Sequence, residues 1–84
     1  MKVELFYTPG CEKCADAKED LKTAAEEVFP GITWRELNAL DELDYAVELG
    51  VISLPAMAID GVVVFSALPT CRQLQRELAK RKTG

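Results

Sequence analysis

The run Val3-Glu4-Leu5-Phe6-Tyr7 stops at Thr8-Pro9-Gly10, and just beyond it the apolar spacing turns helical. That change constrains the fold more than any other feature. A β-branched, aromatic and aliphatic run closed by Pro-Gly reads as a strand that ends at a loop. From Cys11 onward, Cys14, Ala17, Leu21, Ala24 or Ala25, and Val28 share one helical face. Lys13, Asp16, Glu19, Asp20 and Glu27 lie largely off that face, so the segment reads as an amphipathic helix, which Pro30-Gly31 ends.

The punctuation then repeats on a smaller scale. Ile32 to Leu37 reads as a second strand with Ile32 and Trp34 on one face. Asp41 offers a helix N-cap, and Leu43, Ala46, Val47 and Leu49 form a short apolar face closed by Gly50. Ala56 to Ile59 and Val62 to Phe65 flank Asp60-Gly61, a strong hairpin signal because both positions tolerate positive φ. Leu68-Pro69-Thr70 leads into a last helix whose apolar positions Cys71, Leu74 and Leu78 are expected to face inward. The basic tail Lys80-Arg81-Lys82 suits a helix C-terminus. The expected order is β-α-β-α-β-β-α in one domain over residues 1–84. It is an α/β fold with a mixed four-stranded sheet and helices on both faces.

Composition narrows the function classes. A chain of 84 residues, 49% hydrophobic and 29% charged, is globular in composition and near the size where one core is just sufficient. A net charge of −4 argues against a nucleic-acid partner, since nothing concentrates positive charge against phosphates. No apolar run approaches the roughly 20 residues of a membrane span. The start Met1-Lys2-Val3-Glu4-Leu5 lacks the apolar region and cleavage site of a signal peptide, so the chain reads as cytoplasmic. The absence of histidine removes Cys-His and Ser-His hydrolases and histidine-based zinc enzymes. Three cysteines do not make the even-numbered framework of a disulfide-stapled scaffold.

Gly10-Cys11-Glu12-Lys13-Cys14 stands where the strand gives way to the helix. The first N–H groups of a helix lack internal partners and carry the positive end of its dipole, so a thiolate in the first turn is stabilised. Cys11, preceded by a loop, is the candidate nucleophile. Cys14, one turn further on and on the apolar face, is the candidate resolving thiol. Lys13 adds local positive charge and Glu12 subtracts some. The competing reading is a thiolate metal site or metal-carrying chaperone, but Cys71 could supply only one of the two further ligands that such a site needs. A redox-inactive adaptor is a third reading, disfavoured by the two intact cysteines. Cys71 itself reads as a small apolar core or capping position, with a reactive thiol as the alternative.

Tyr7-Thr8-Pro9-Gly10-Cys11-Glu12-Lys13-Cys14, then Gly50-Val51-Ile52-Ser53-Leu54-Pro55, then Ile59-Asp60-Gly61 with Val62-Val63-Val64, resemble the thioredoxin superfamily. More narrowly, the chain is similar to the small glutaredoxin-sized thioredoxins, or redox-active disulfide proteins, of archaea and anaerobic bacteria. The resemblance spans essentially the whole chain, and its most specific part is Gly-Val-x-Ser-x-Pro. It implies that Pro55 is cis and packs beside the cysteine pair, and that Leu54 offers its backbone to an extended substrate segment. The implied activity is protein-disulfide reduction, with protein disulfides as substrates and no cofactor beyond a Cys11–Cys14 disulfide. The chain is expected to act as a monomer. Many glutaredoxins carry a Gly-Gly pair before the last helix, where this chain has Ser66-Ala67-Leu68-Pro69. A thioredoxin-reductase-type electron donor is therefore expected in place of glutathione.

Overall fold

The computed structural model describes residues 1–10 and 12–83, and side chains other than those of residues 11–15 and 82–84. The elements follow the order expected from the sequence: β1 (Lys2–Tyr7), α1 (Glu12–Val28), β2 (Thr33–Asn38), α2 (Leu43–Leu49), β3 (Ala56–Ile59), β4 (Val62–Phe65) and α3 (Cys71–Thr83). They build a four-stranded sheet in the order β2-β1-β3-β4. β1 runs parallel to β2, with Val3 opposite Trp34, and antiparallel to β3, with Phe6 opposite Ala56. β3 and β4 form an antiparallel hairpin. At its turn Asp60 and Gly61 both take positive φ, 51° and 83°, the backbone that a two-residue hairpin requires.

Because β1 is central, both of its faces are covered and Val3 to Phe6 are all buried. Val3 and Leu5 point to the larger cluster, where they meet Leu21 and Ala25 of α1, Met57 of β3, and Leu74 and Leu78 of α3. Trp34 is half-buried against the same cluster, and Ile32 is buried just ahead of β2. The opposite face is thinner. There Phe6, Leu37, Ala46, Ala56 and Ala58 form a small cluster under α2.

Three local expectations are corrected. Asp41 is not the N-cap of α2. Glu42 stands there and makes no side-chain capping bond. Asn38 organises the approach instead. Its side-chain oxygen accepts the Leu40 N–H at 2.9 Å, and its carbonyl accepts the N–H groups of Asp41 and Glu42 at 3.1 and 3.0 Å. This turn carries the chain one residue further before the helix begins.

The apolar face expected of α2 is only partly used. Ala46 is buried, but Leu43 and Val47 are 56% and 67% exposed. The helix is rotated so that Ala46 meets the sheet, and its i, i+4 aliphatic pair faces solvent.

Cys71 is also exposed, whereas Leu74 and Leu78 are fully buried. The reason lies in the helix start. Thr70 Oγ1 accepts the Gln73 N–H at 3.1 Å, while Gln73 Oε1 accepts the Thr70 N–H at 2.9 Å. This reciprocal capping box makes Thr70 the N-cap and Cys71 the first helical residue, one turn before the buried stripe begins.

Gly50 closes α2 in the left-handed conformation at φ 90°, and its N–H reaches back to Ala46 and Val47 carbonyls. A Cβ added there would meet nothing within 4 Å, so any penalty is that of the backbone conformation alone. Gly50→Ala is expected to cost about 1 kcal/mol, read as a lowered denaturant midpoint with an unchanged slope.

Candidate functional site

The sheet register gathers several segments at one end of the molecule. β1 finishes at Tyr7 and continues through Thr8-Pro9-Gly10, with Gly10 at φ 84°, toward α1 at Glu12. β3 runs the other way and starts at Ala56, opposite Phe6. Pro55, the residue before it, therefore lies at the sheet end from which the chain leaves β1. The Leu54–Pro55 peptide bond is cis. β4 also ends here, and Ser53 Oγ donates to the Ser66 carbonyl at 3.0 Å, tying the loop before Pro55 to the segment that precedes α3. On the other side, the Ala39 N–H donates to the Tyr7 carbonyl at 2.9 Å and draws the chain after β2 across the same end.

Of the residues singled out from the sequence, Gly10, Leu54 and Pro55 are thus brought to this common end. Leu54 is 39% exposed, and no hydrogen bond joins its backbone to another described residue. Glu12, Lys13 and Cys14 fall in the first turn of α1, but their side chains lie outside the described residues, as does Cys11 altogether. Among the described residues, no group of three or more His, Cys, Asp or Glu side chains is disposed to hold a metal ion.

The thin face carries a second feature that the sequence pattern hardly signals. Glu4, in the middle of β1, is completely buried. Its carboxylate accepts the Tyr45 O–H, with 2.8 Å to each oxygen, and lies 3.4 Å from Arg35 Nη1 and 3.8 Å from Lys2 Nζ. Both cations are near half exposed, so they balance the charge from the rim of the pocket. The Tyr45 ring also packs on Phe6, with centroids 5.9 Å apart. The hydrogen bond to Glu4 holds the Tyr45 phenol above its ordinary pKa of 10.0; burial and the carboxylate's charge act in the same sense, and Arg35 opposes them. Tyr45 thereby latches α2 onto the sheet. The only hint in the sequence is an acidic residue at an inward strand position.

Comparison with known proteins agrees with this architecture. The family model for the thioredoxin domain matches residues 1–79. Over 81 residues the chain is 31% identical to a thioredoxin of Methanocaldococcus jannaschii, covering 96% of this chain and 95% of that protein. It is 31% identical over 74 residues to a probable thioredoxin of Methanothermobacter thermautotrophicus, covering 88% and 87% of the two chains. Among solved structures, the zinc-bound form of human ERp44 superposes with a TM-score of 0.70 at 14% identity, covering 96% of this chain and 26% of that one. The first thioredoxin domain of mouse protein disulfide-isomerase A4 gives 0.62 at 20% identity, covering 98% and 61%. These two likenesses concern the fold. The chain belongs to the thioredoxin-domain family. It is a thioredoxin-like redox protein with a general thiol–disulfide oxidoreductase role.

Proposed function

We propose that the chain reduces protein disulfides through a dithiol–disulfide couple formed by Cys11 and Cys14. The observation that supports this most is the register of β1 and β3. It sets the cis Leu54–Pro55 segment at the sheet end from which the chain runs into Cys11-Glu12-Lys13-Cys14 and α1. The start of α1 favours a thiolate, because unpartnered N–H groups and the helix dipole both stabilise negative charge there.

In the proposed cycle the Cys11 thiolate attacks one sulfur of the substrate disulfide. A Cys11–substrate S–S bond forms, the substrate S–S bond breaks, and the released substrate sulfur takes up a proton. Cys14 then loses its proton and attacks Cys11 Sγ. The mixed disulfide breaks, the second substrate sulfur leaves as a thiol, and Cys11–Cys14 remains as the disulfide. Two electrons have moved from the protein to the substrate. No dissociable cofactor is needed, because the pair itself carries them. Leu54, 39% exposed and with no backbone hydrogen bond to another described residue, is suited to align an extended substrate segment as an added strand. Ser66-Ala67-Leu68-Pro69, in place of a glycine pair, favours a flavin-dependent thioredoxin-reductase-type protein as the donor that regenerates the dithiol. No helix among the described residues is long and apolar enough to cross a membrane. The cytoplasm, where thiols are kept reduced, is the compartment that suits the proposed chemistry.

Cys14→Ser supplies the test. The variant should accumulate a mixed disulfide with a protein substrate, visible by mass spectrometry as an adduct on the peptide containing Cys11 and released by dithiothreitol. An adduct confined to Cys71, or tight stoichiometric metal binding without exchange, would contradict the proposal.

A further inference from the structure

The rotation of α2 leaves an apolar flank beside the loop that carries Leu54. A groove of about 190 Å³ runs between them, lined by Leu43, Ala46, Val51, Ile52 and Leu54. Val47 extends the flank one turn along the helix, and Ile52 is 95% exposed. Leu43 also forms the wall of a wider, polar depression whose rim carries Asp41, Glu42, Asp44 and Glu48. None of these four carboxylates is ion-paired with another described residue. Glu4, Glu36 and Glu77 each have a Lys or Arg within 4.0 Å, and exposed carboxylates of α1 such as Glu19 and Asp20 have none among the described residues; what sets these four apart is that they line one depression. An apolar slot thus opens next to a cluster of carboxylates that have no ion-pair partner among the described residues.

We propose that this groove docks an extended segment of the disulfide-bearing partner in which an aliphatic side chain is flanked by Lys or Arg. The proposal rests on the exchange reading above and names the class of substrate that this reading leaves open. The aliphatic side chain enters between Leu43 and Ile52, and the basic neighbours meet the Asp41, Asp44 and Glu48 carboxylates. The segment then continues past Leu54 toward the cysteine pair. Burial of the aliphatic group anchors it, and the charges select partners and speed encounter. A second copy of the chain is a poor occupant, because a self-complementary contact would bring two sets of unpaired carboxylates together.

The experiment compares two synthetic peptides of equal length, each carrying one cysteine as a mixed disulfide with thionitrobenzoate and a leucine nearby. One has Lys and Arg flanking the leucine, the other glutamine. Release of the chromophore by the reduced protein should be about tenfold faster with the basic peptide at low salt. The preference should nearly vanish at about 0.5 M salt, where the Debye length is only a few Å. It should also vanish in D41N/D44N/E48Q and persist in E19Q/D20N/E26Q, which removes equal charge from the exposed side of α1. Ile52→Ser should slow both peptides by a similar factor. Equal rates for the two peptides, a preference that survives D41N/D44N/E48Q, or a wild-type dimer dispersed by Ile52→Ser would each overturn the docking proposal. An uncharged small disulfide serves as the control. If the wild-type protein fails to reduce it, the exchange reading itself is at fault. If it is reduced while the peptides are not distinguished, the docking proposal alone fails.

Discussion

Replacing Cys11 with serine should lower the rate of protein-disulfide reduction by at least about 10³-fold, some 4 kcal/mol in the barrier. A serine hydroxyl stays protonated near neutral pH and carries none of the nucleophilicity of a thiolate, so no first step remains. Cys14→Ser should behave differently. It keeps the attacking sulfur and loses only the second step, so one equivalent of substrate sulfur is released and turnover then stops. Cys71→Ser should leave the rate within about twofold of wild type, because that thiol is exposed on the first turn of α3 and has no part in the proposed cycle. The asymmetry between Cys11 and Cys14 carries the argument. A metal site built on the same pair would lose affinity to a comparable extent with either replacement, since each sulfur is one ligand among equals. The assay is a stopped time course with a protein disulfide, run with single-turnover amounts of each variant. Comparable losses for the two variants, with neither forming an adduct, would exclude the attacking and resolving roles assigned here.

What could be read ahead of the structure was whatever depends on neighbours in sequence. The Asp60-Gly61 turn is local. Two residues that tolerate positive φ are enough to fold it, and the added bond from the Lys2 N–H to Asp60 at 2.8 Å only ties it to β1. The helical stripe of α1 is also local, and Leu21, Ala24 and Ala25 are buried as the spacing implies. Rotation about a helix axis is another matter. In α2 the aliphatic residues Leu43, Ala46, Val47 and Leu49 are consistent with more than one inward face. The choice falls to Tyr45 and Ala46 because their partners, Glu4 and the sheet face around Phe6, are distant in sequence. Cys71 departs from the inward face that apolar spacing predicts for a different reason, while its place at the capped helix start fits the other half of that reading. Thr70-x-x-Gln73 is a capping signal visible in the sequence, and it puts Cys71 in the first helical turn, ahead of the buried stripe. Among the candidate site residues, the cysteine spacing was plain from the start. The resemblance implies a cis Pro55, but its position at the sheet end where β1 gives way to Gly10 follows only from the antiparallel pairing of β3 with β1.

Glu4→Ala should destabilise the domain by about 3 kcal/mol, a large share of the roughly 5–10 kcal/mol that a chain of this size holds in reserve. The replacement empties a fully buried side-chain volume and deprives the Tyr45 hydroxyl of its acceptor. Arg35 and Lys2 are near half exposed and can turn to water, so they add little to the loss. Glu4→Met should cost much less, within about 1 kcal/mol of wild type, because an apolar chain of similar size fills the space and the desolvation of a carboxylate is no longer required. The contrast between Ala and Met separates a latch that works by filling space from one that needs the charge. Equal losses in the two variants would show that the carboxylate is indispensable. Alkaline pH gives a third reading of the same contact. The Tyr45 phenol holds its proton more tightly in the folded chain than in the unfolded one, so its contribution is fully present below pH 10. It is lost as pH rises beyond that, through the raised folded value. Stability of the wild type should therefore fall above pH 10 in chemical-denaturation series, and Tyr45→Phe should remove that component of the slope. If Tyr45→Phe leaves the alkaline slope unchanged and Glu4→Ala costs less than about 0.5 kcal/mol, α2 is held by Ala46 packing alone.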